Sequence, residues 1–244
     1  TNCEQEPIHI PGSIQPHGFL LGIHTDTFII TYCSGNTAAY INMSYDVLLG
    51  KSPADAFGKD VEDEIRNYIS RYESTSPLKL TINGAQFHCT VHKTGDIHLV
   101  EAEPIQNSEE YSDVYDQTRQ FLSYMEQSIT LQQLCSLVAG HTRRITGYDR
   151  VMIYRFDEEY NGEVFAESRR DDLEPFLGLH YPHTDIPIQA RKLYMKNLLR
   201  LIGDIGYEPV PLYTLGGGDN SSLDLSMSVL RSTSPIHVQY LANM

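Results

Sequence analysis

Arg200 and Arg231 are the side chains best suited to hold an anion, because a planar guanidinium grips a carboxylate in a two-pronged geometry that lysine cannot match. The plain alternative is a pair of solvated surface arginines. His237 and Tyr240 lie three residues apart, so they share one face of any helix that carries them. An imidazole with an ordinary pKa of ~6.5 is a plausible proton partner, although a lone histidine on such a face is more often a satisfied, half-buried side chain. Asp185 stands just ahead of Pro187, where a carboxylate caps a helix and meets the positive end of its dipole. Cys3 offers a thiol beside Glu4 and Glu6, which raise a thiol pKa and slow its reactions. On residues alone such a cysteine is a bystander. His180 and His183 form an HxxH pair without the glutamate of HExxH, and the nearby proline argues against a regular helix, so no metal is expected.

The elements that must position these groups follow from pattern. Pro187 suits the first turn of a helix, Ala190, Leu193, Tyr194, Leu198, Leu201 and Ile202 recur at helical spacing, and Gly203 is a natural stop. That reading turns Tyr194 inward and puts Lys196 and Arg200 on one face. Ser234 and Pro235 open a last helix as cap and first residue. Upstream, residues 19–23 and 28–32 read as strands, and residues 60–72 as a helix with its stripe at Val61, Ile65, Tyr68, Ile69 and Tyr72. Three strands follow over 78–82, 85–92 and 96–103, the first pair joined by Asn83-Gly84, with Phe87, Cys89 and Val91 as one buried face. Polar residues 106–112 mark a boundary. A helix from residue 113 carries Val114 to Ile129, and Thr130 with Gln133 forms a capping box opening another that stops at Gly147. Strands over 150–156 and 163–168 come next, and residues 203–228 read as a long segment with little regular structure.

Composition narrows the function. A net charge of −14 argues against nucleic acid, whose phosphates need a basic face. Any anionic ligand must be held by a few local cations working against that field. No apolar run approaches the ~18–20 residues of a membrane span, and the first residues lack a basic-then-apolar leader pattern. The four cysteines are scattered without a CxxC pair, so neither disulfide scaffold nor zinc cluster is indicated, and the cytoplasm is the expected compartment.

Three long motifs carry a resemblance. YPHTDIP, holding Tyr181, Asp185, Ile186 and Pro187, resembles the aspartate–isoleucine–proline signature of the phytochrome GAF domain. LRSTSPIHVQYLANM near the end is similar to that family's second chromophore-contacting segment, and CEQEPIHIPGSIQPHG resembles the N-terminal stretch of bacterial phytochromes. The motifs stand in the family's order and reach both ends of the chain.

The resemblance implies an α+β fold, a PAS domain over 1–106 followed by a GAF domain over 113–244, with antiparallel sheets and flanking helices. It also implies a figure-of-eight knot, with the segment near Ile14 threaded through the loop of residues 203–228. The implied function is red/far-red light sensing by biliverdin IXα, a linear tetrapyrrole held through a thioether to Cys3. Other family members attach through a cysteine just before the helix histidine, a place taken here by Ile236. By resemblance Arg200 and Arg231 hold a propionate, aided by Tyr194 and Ser234, and His237 meets the central pyrroles. Asp185 sits beside the outer ring, and Tyr154, Tyr181 and Tyr240 surround the ring that rotates. His183 departs from the small residue usual there. The resemblance further implies homodimerisation through GAF helices, and PHY and output domains beyond this stretch, with a histidine kinase as one output. No catalytic set is evident, so the chain itself reads as a sensor. The alternative is a PAS–GAF regulator of a small molecule such as a cyclic nucleotide, with the arginines on a phosphate.

Overall fold

The computed structural model describes residues 6–71, 78–105, 130–217 and 223–243. Cys3, Tyr72, the polar boundary at 106–112 and the expected helix over 113–129 lie outside them. The elements in order are β1 (Ser13–Ile14), β2 (Phe19–His24), β3 (Ile30–Ser34), α1 (Thr37–Ile41), α2 (Tyr45–Leu48), α3 (Pro53–Phe57), α4 (Lys59–Ser70), β4 (Leu78–Ile82), β5 (Ala85–Thr94) and β6 (Ile97–Pro104), then α5 (Leu131–Thr146), β7 (Arg150–Phe156), β8 (Gly162–Arg169), β9 (His180–Tyr181), α6 (Ile188–Lys196), β10 (Val210–Thr214) and α7 (Pro235–Ala242). The chain divides into two compact units, Thr1–Gln106 with Ile188–Met244, and Asn107–Pro187.

The first unit is built on a seven-stranded sheet in the order β1-β10-β3-β2-β6-β5-β4, every pairing antiparallel. β2, FLLGIH, is apolar at every other position and between, because both of its faces are covered. Phe19, Leu21 and Ile23 join Phe87, Cys89, Ile41, Leu48, Val61 and Ile65 in one core. Leu20 faces the opposite core with Ile14, Leu99, Leu212, Leu225 and Leu230. The meander of β4, β5 and β6 turns at Asn83 and Gly84, whose φ values of 50° and 81° are those of a tight hairpin turn. α4 buries Val61 and Ile65, the central part of its expected stripe.

Three expectations need correction. The second strand starts at Ile30, not at residue 28, because His24 Nδ1 accepts the backbone N–H groups of Asp26 and Thr27 and closes a tight turn in which Phe28 has φ 56°. Residues 203–228, expected to hold little regular structure, contain one strand among the described residues. β10 lies within them and pairs with β3 on one side and β1 on the other. The helix expected from Pro187 to Gly203 ends at Lys196, so Arg200 does not share a helical face with Lys196. Asn197 ends it: its side-chain NH2 donates to the carbonyl of Met227 at 3.2 Å, and its Oδ1 accepts the N–H of Leu199 at 3.3 Å. Only Leu193 of α6 is buried, whereas Tyr194 is 43% and Leu198 89% exposed, so Tyr194 does not turn into a core.

In the second unit, α5 opens with the capping box of Thr130 and Gln133 and closes on Gly147 at φ 71°. It packs on the antiparallel sheet β7-β8-β9. Among the described residues no helix is long and apolar enough to cross a membrane.

Candidate functional site

The first unit gathers two arginines on adjoining loops. Arg200 follows α6, and Arg231 follows a tight turn that docks on the sheet. Arg231 is 7% exposed and forms an isolated antiparallel bridge to Ile14. Arg200 Nη2 donates to the Arg231 carbonyl at 2.5 Å and to Thr233 Oγ1 at 3.5 Å. Among the described residues the Nη1 atoms of both guanidiniums are buried with no hydrogen-bond partner, and neither arginine has a carboxylate within ion-pair distance. Burial lowers both pKa values, and Arg231, with the Arg200 charge next to it, falls to about 10. Two desolvated like charges with unpaired donors are costly on their own. A carboxylate or phosphate would repay both deficits, so the donor set fits an anionic group.

Other expected residues stand around this pair. Tyr194 stands near both guanidiniums although it is 43% exposed. Ser234 caps α7 by accepting the N–H of Ile236, and its hydroxyl donates to Glu6 at 2.6 Å. Pro235 occupies the first turn as expected. His237 lies near parallel to Tyr240, with ring centroids 6.3 Å apart. Burial first, and the Arg200 charge second, hold His237 below the usual histidine range, so it is neutral at neutral pH. Ile236 is exposed.

The second unit brings Tyr154 and Tyr181 together at a 6.1 Å centroid separation. A Cβ added at Gly162 would fall 1.8 Å from the tip of the Tyr154 ring, so a larger residue opposite Tyr181 in the β8–β9 register would have to displace that ring. Asp185 closes a turn by donating its N–H to Pro182, and Asp185, Ile186 and Pro187 are half-buried. His180 is exposed on β9, and the His183 N–H donates to Asn161 Oδ1 at 3.2 Å. Among the described residues no cluster of three or more histidine, cysteine or acidic side chains could hold a metal. Cys33 and Cys89 are buried, which pushes each thiol up to about 12 and leaves them unreactive.

Reading the residue types missed the groups that hold the arginines. Gln15 donates from Nε2 to the carbonyls of Leu201 at 2.8 Å and Arg231 at 3.3 Å, and accepts the Gly203 N–H at 3.2 Å. Tyr207 accepts the Thr233 N–H at 2.6 Å. Glu101, 1% exposed, accepts from the backbone of Val229 and Leu230. A signal for Glu101 existed: it follows Ile97 and Leu99 at the same strand parity, so period two buries it.

A family model described as a PAS fold matches residues 3–105. Over the whole chain, the bacteriophytochrome of Pseudomonas aeruginosa is 38% identical and cyanobacterial phytochrome B of Nostoc sp. 36% identical. The chain spans about a third of the length of these relatives (34% of each). Among solved structures, the chromophore-binding domain of Stigmatella aurantiaca phytochrome is 41% identical with a TM-score of 0.91, covering all of this chain and 83% of that one. The chromophore-binding domain of an unusual bacteriophytochrome from R. palustris is 33% identical with a TM-score of 0.88, covering 99% and 81%. The antiparallel sheets, the helices around them and these likenesses agree: the chain belongs to the phytochrome photoreceptors, as a PAS–GAF chromophore-binding region of the bacteriophytochrome type.

Proposed function

We propose that this chain is the light-sensing region of a red/far-red photoreceptor that takes biliverdin IXα, with a PAS domain over 1–106 and a GAF domain over 113–244. The observation that carries the reading is the Arg200–Arg231 pair, whose buried Nη1 donors lack a partner among the described residues. A bilin, when bound, supplies absorption of red light and isomerisation about the double bond before its terminal ring. Arg200 and Arg231 grip a propionate carboxylate, with Tyr194 and Ser234 beside them. Neutral His237 offers a ring nitrogen to the pyrrole protons. Asp185, Ile186 and Pro187 are assigned to the outer ring and Tyr154, Tyr181 and Tyr240 to aromatic contacts with it. Ile236 stands at the attachment place of other family members and cannot attach. Remaking these hydrogen bonds in light biases a two-state switch.

Cys3 Sγ is assigned to a thioether. It adds across a vinyl C=C, so the C–S bond replaces the π bond, the thiol proton passes to the neighbouring carbon, and no oxidant or reductant is needed. The pairing of Ile14 with Val210 on one side and its bridge to Arg231 on the other support a threaded crossing there. Homodimerisation through helices of residues 113–146, PHY and output domains beyond this stretch, and a cytoplasmic setting complete the proposal. The test is pigment retention after denaturation. Wild-type protein loaded with biliverdin should carry colour on a denaturing gel and Cys3→Ser should not. Colour kept by Cys3→Ser would move attachment to half-exposed Cys135 and refute the assignment, since Cys33 and Cys89 are buried.

A further inference from the structure

Glu101 lies on β6, a central strand of the first unit's sheet, with both carboxylate oxygens engaged by one turn of the loop before Arg231. Oε1 accepts from the Ser228 hydroxyl and, at 2.9 Å, from the Leu230 N–H, while Oε2 accepts the Val229 N–H at 3.0 Å. The turn is closed by the Ser228 N–H on the Leu225 carbonyl at 3.0 Å, and the Leu230 carbonyl accepts the Gln15 N–H at 2.7 Å. Arg231 follows directly, and its carbonyl receives Arg200 Nη2. A shift of this turn therefore moves Arg231 through the chain and Arg200 through its hydrogen bond. Among the described residues Glu101 is also the one carboxylate felt electrostatically by both guanidiniums, yet it pairs with neither.

We propose that Glu101 is a positioning residue for the Arg200–Arg231 anion site: anchored on a rigid strand, it holds the 228–230 turn so that the unpaired guanidinium donors converge on one carboxylate of the ligand. The inference rests on the bilin reading above and adds a carboxylate on the PAS sheet to the determinants of propionate recognition. A purely structural Glu101 would weaken every ligand alike. A positioning Glu101 discriminates between a ligand with its carboxylates and the same ligand with them masked.

The experiment titrates biliverdin and biliverdin dimethyl ester by absorbance into the chain carrying Cys3→Ser, which keeps binding reversible. It reads the ratio of the two affinities. The starting protein should prefer the diacid by tenfold or more. Equal affinities there would overturn the bilin-propionate reading itself, separately from the role of Glu101. Given that preference, Glu101→Gln should cut the ratio at least tenfold while ester affinity changes less than threefold, because the amide cannot accept from all three donors. Ser228→Ala removes one donor and leaves the carboxylate, so the ratio should fall about threefold, and it decides the matter if thermal unfolding shows Glu101→Gln to be misfolded. An unchanged ratio, or equal weakening of both ligands in the folded variants, would overturn the proposal.

Discussion

Both units draw arginine charge out of the solvent, and they do so in opposite ways. In the second unit Arg150 on β7 pairs with Glu167 on β8, donates to the Glu174 carbonyl at 2.8 Å, and lies 3.8 Å over the Phe176 ring. Glu167 completes the arrangement by accepting the N–H groups of Phe176 at 3.0 Å and Leu177 at 3.1 Å. In the first unit half-buried Arg200 sits beside buried Arg231, and among the described residues their Nη1 donors are unpaired and no carboxylate is in contact. Evenly satisfied charge stabilises a fold or at least does not harm it, and unsatisfied charge is retained where something outside the chain completes it. The contrast separates an arginine that holds a sheet edge from the arginines that the proposed function assigns to an anion.

Substitutions can break that contrast. Arg150→Ala leaves Glu167 with only the looser Arg169 pair at 3.9 Å and should cost about 3 kcal/mol of stability, read by urea unfolding. Arg231→Ala should leave the unliganded protein as stable as before or more so, since it removes one of two desolvated like charges. A loss as large as that of Arg150→Ala would mean that Arg231 is structural and the contrast false. Its effect belongs instead in affinity: biliverdin uptake should weaken by tens- to a thousandfold, about 2–4 kcal/mol, because the carboxylate keeps its desolvation and loses a partner.

Glu101 sharpens the comparison, because it is a carboxylate near the arginines that does not pair with them. Burial raises its pKa to about 7 despite three donors, and burial lowers His92, 3.8 Å from it on β5, to about 4. Also acting here are Glu103 on Glu101 and Asp224 on His92 and Arg231. The folded protein holds the Glu101 proton more tightly than the unfolded chain does, so that contribution is present below pH 4.5 and lost as pH rises through about 7. His92 acts the other way, its contribution present above pH 6.5 and lost as pH falls toward 4. The two oppose across most of the window. Glu101→Gln should remove the falling part, so that stability rises from pH 4.5 to 7 relative to wild type by at most about 3 kcal/mol. Superimposable pH–stability curves would contradict this. The smallest effect is Thr130→Ala, which breaks the capping box of α5 and should cost about 1 kcal/mol without altering biliverdin affinity.

Where neighbours in sequence supply the physics, the fold was legible. β4 and β7 match their expected residues, and the α5 box and the Ser234 cap were visible as residue types at fixed spacing. What failed depends on partners far along the chain. The apolar repeat after Lys196 looked helical, but Asn197 trades the helix for hydrogen bonds to residues 227 and 228, leaving Leu198 exposed. β10 forms because β3 and β1 offer it edges, which its own residues do not reveal. In the site, Arg200, Arg231 and His237 were legible as chemistry, and the resemblance gave them a ligand. Gln15, more than 180 residues from Leu201, was invisible until the loops were seen to meet on it.

The central claim is that the paired arginines receive a bilin carboxylate. An absorbance spectrum recorded on mixing the protein with one equivalent of biliverdin tests it most directly, with wild type beside Arg200→Ala/Arg231→Ala. The account predicts a strong red band in wild type and, at the same concentrations, little or none in the double variant, with unfolding curves showing both proteins folded. A red band of equal strength in the two proteins, or none in either, would contradict it.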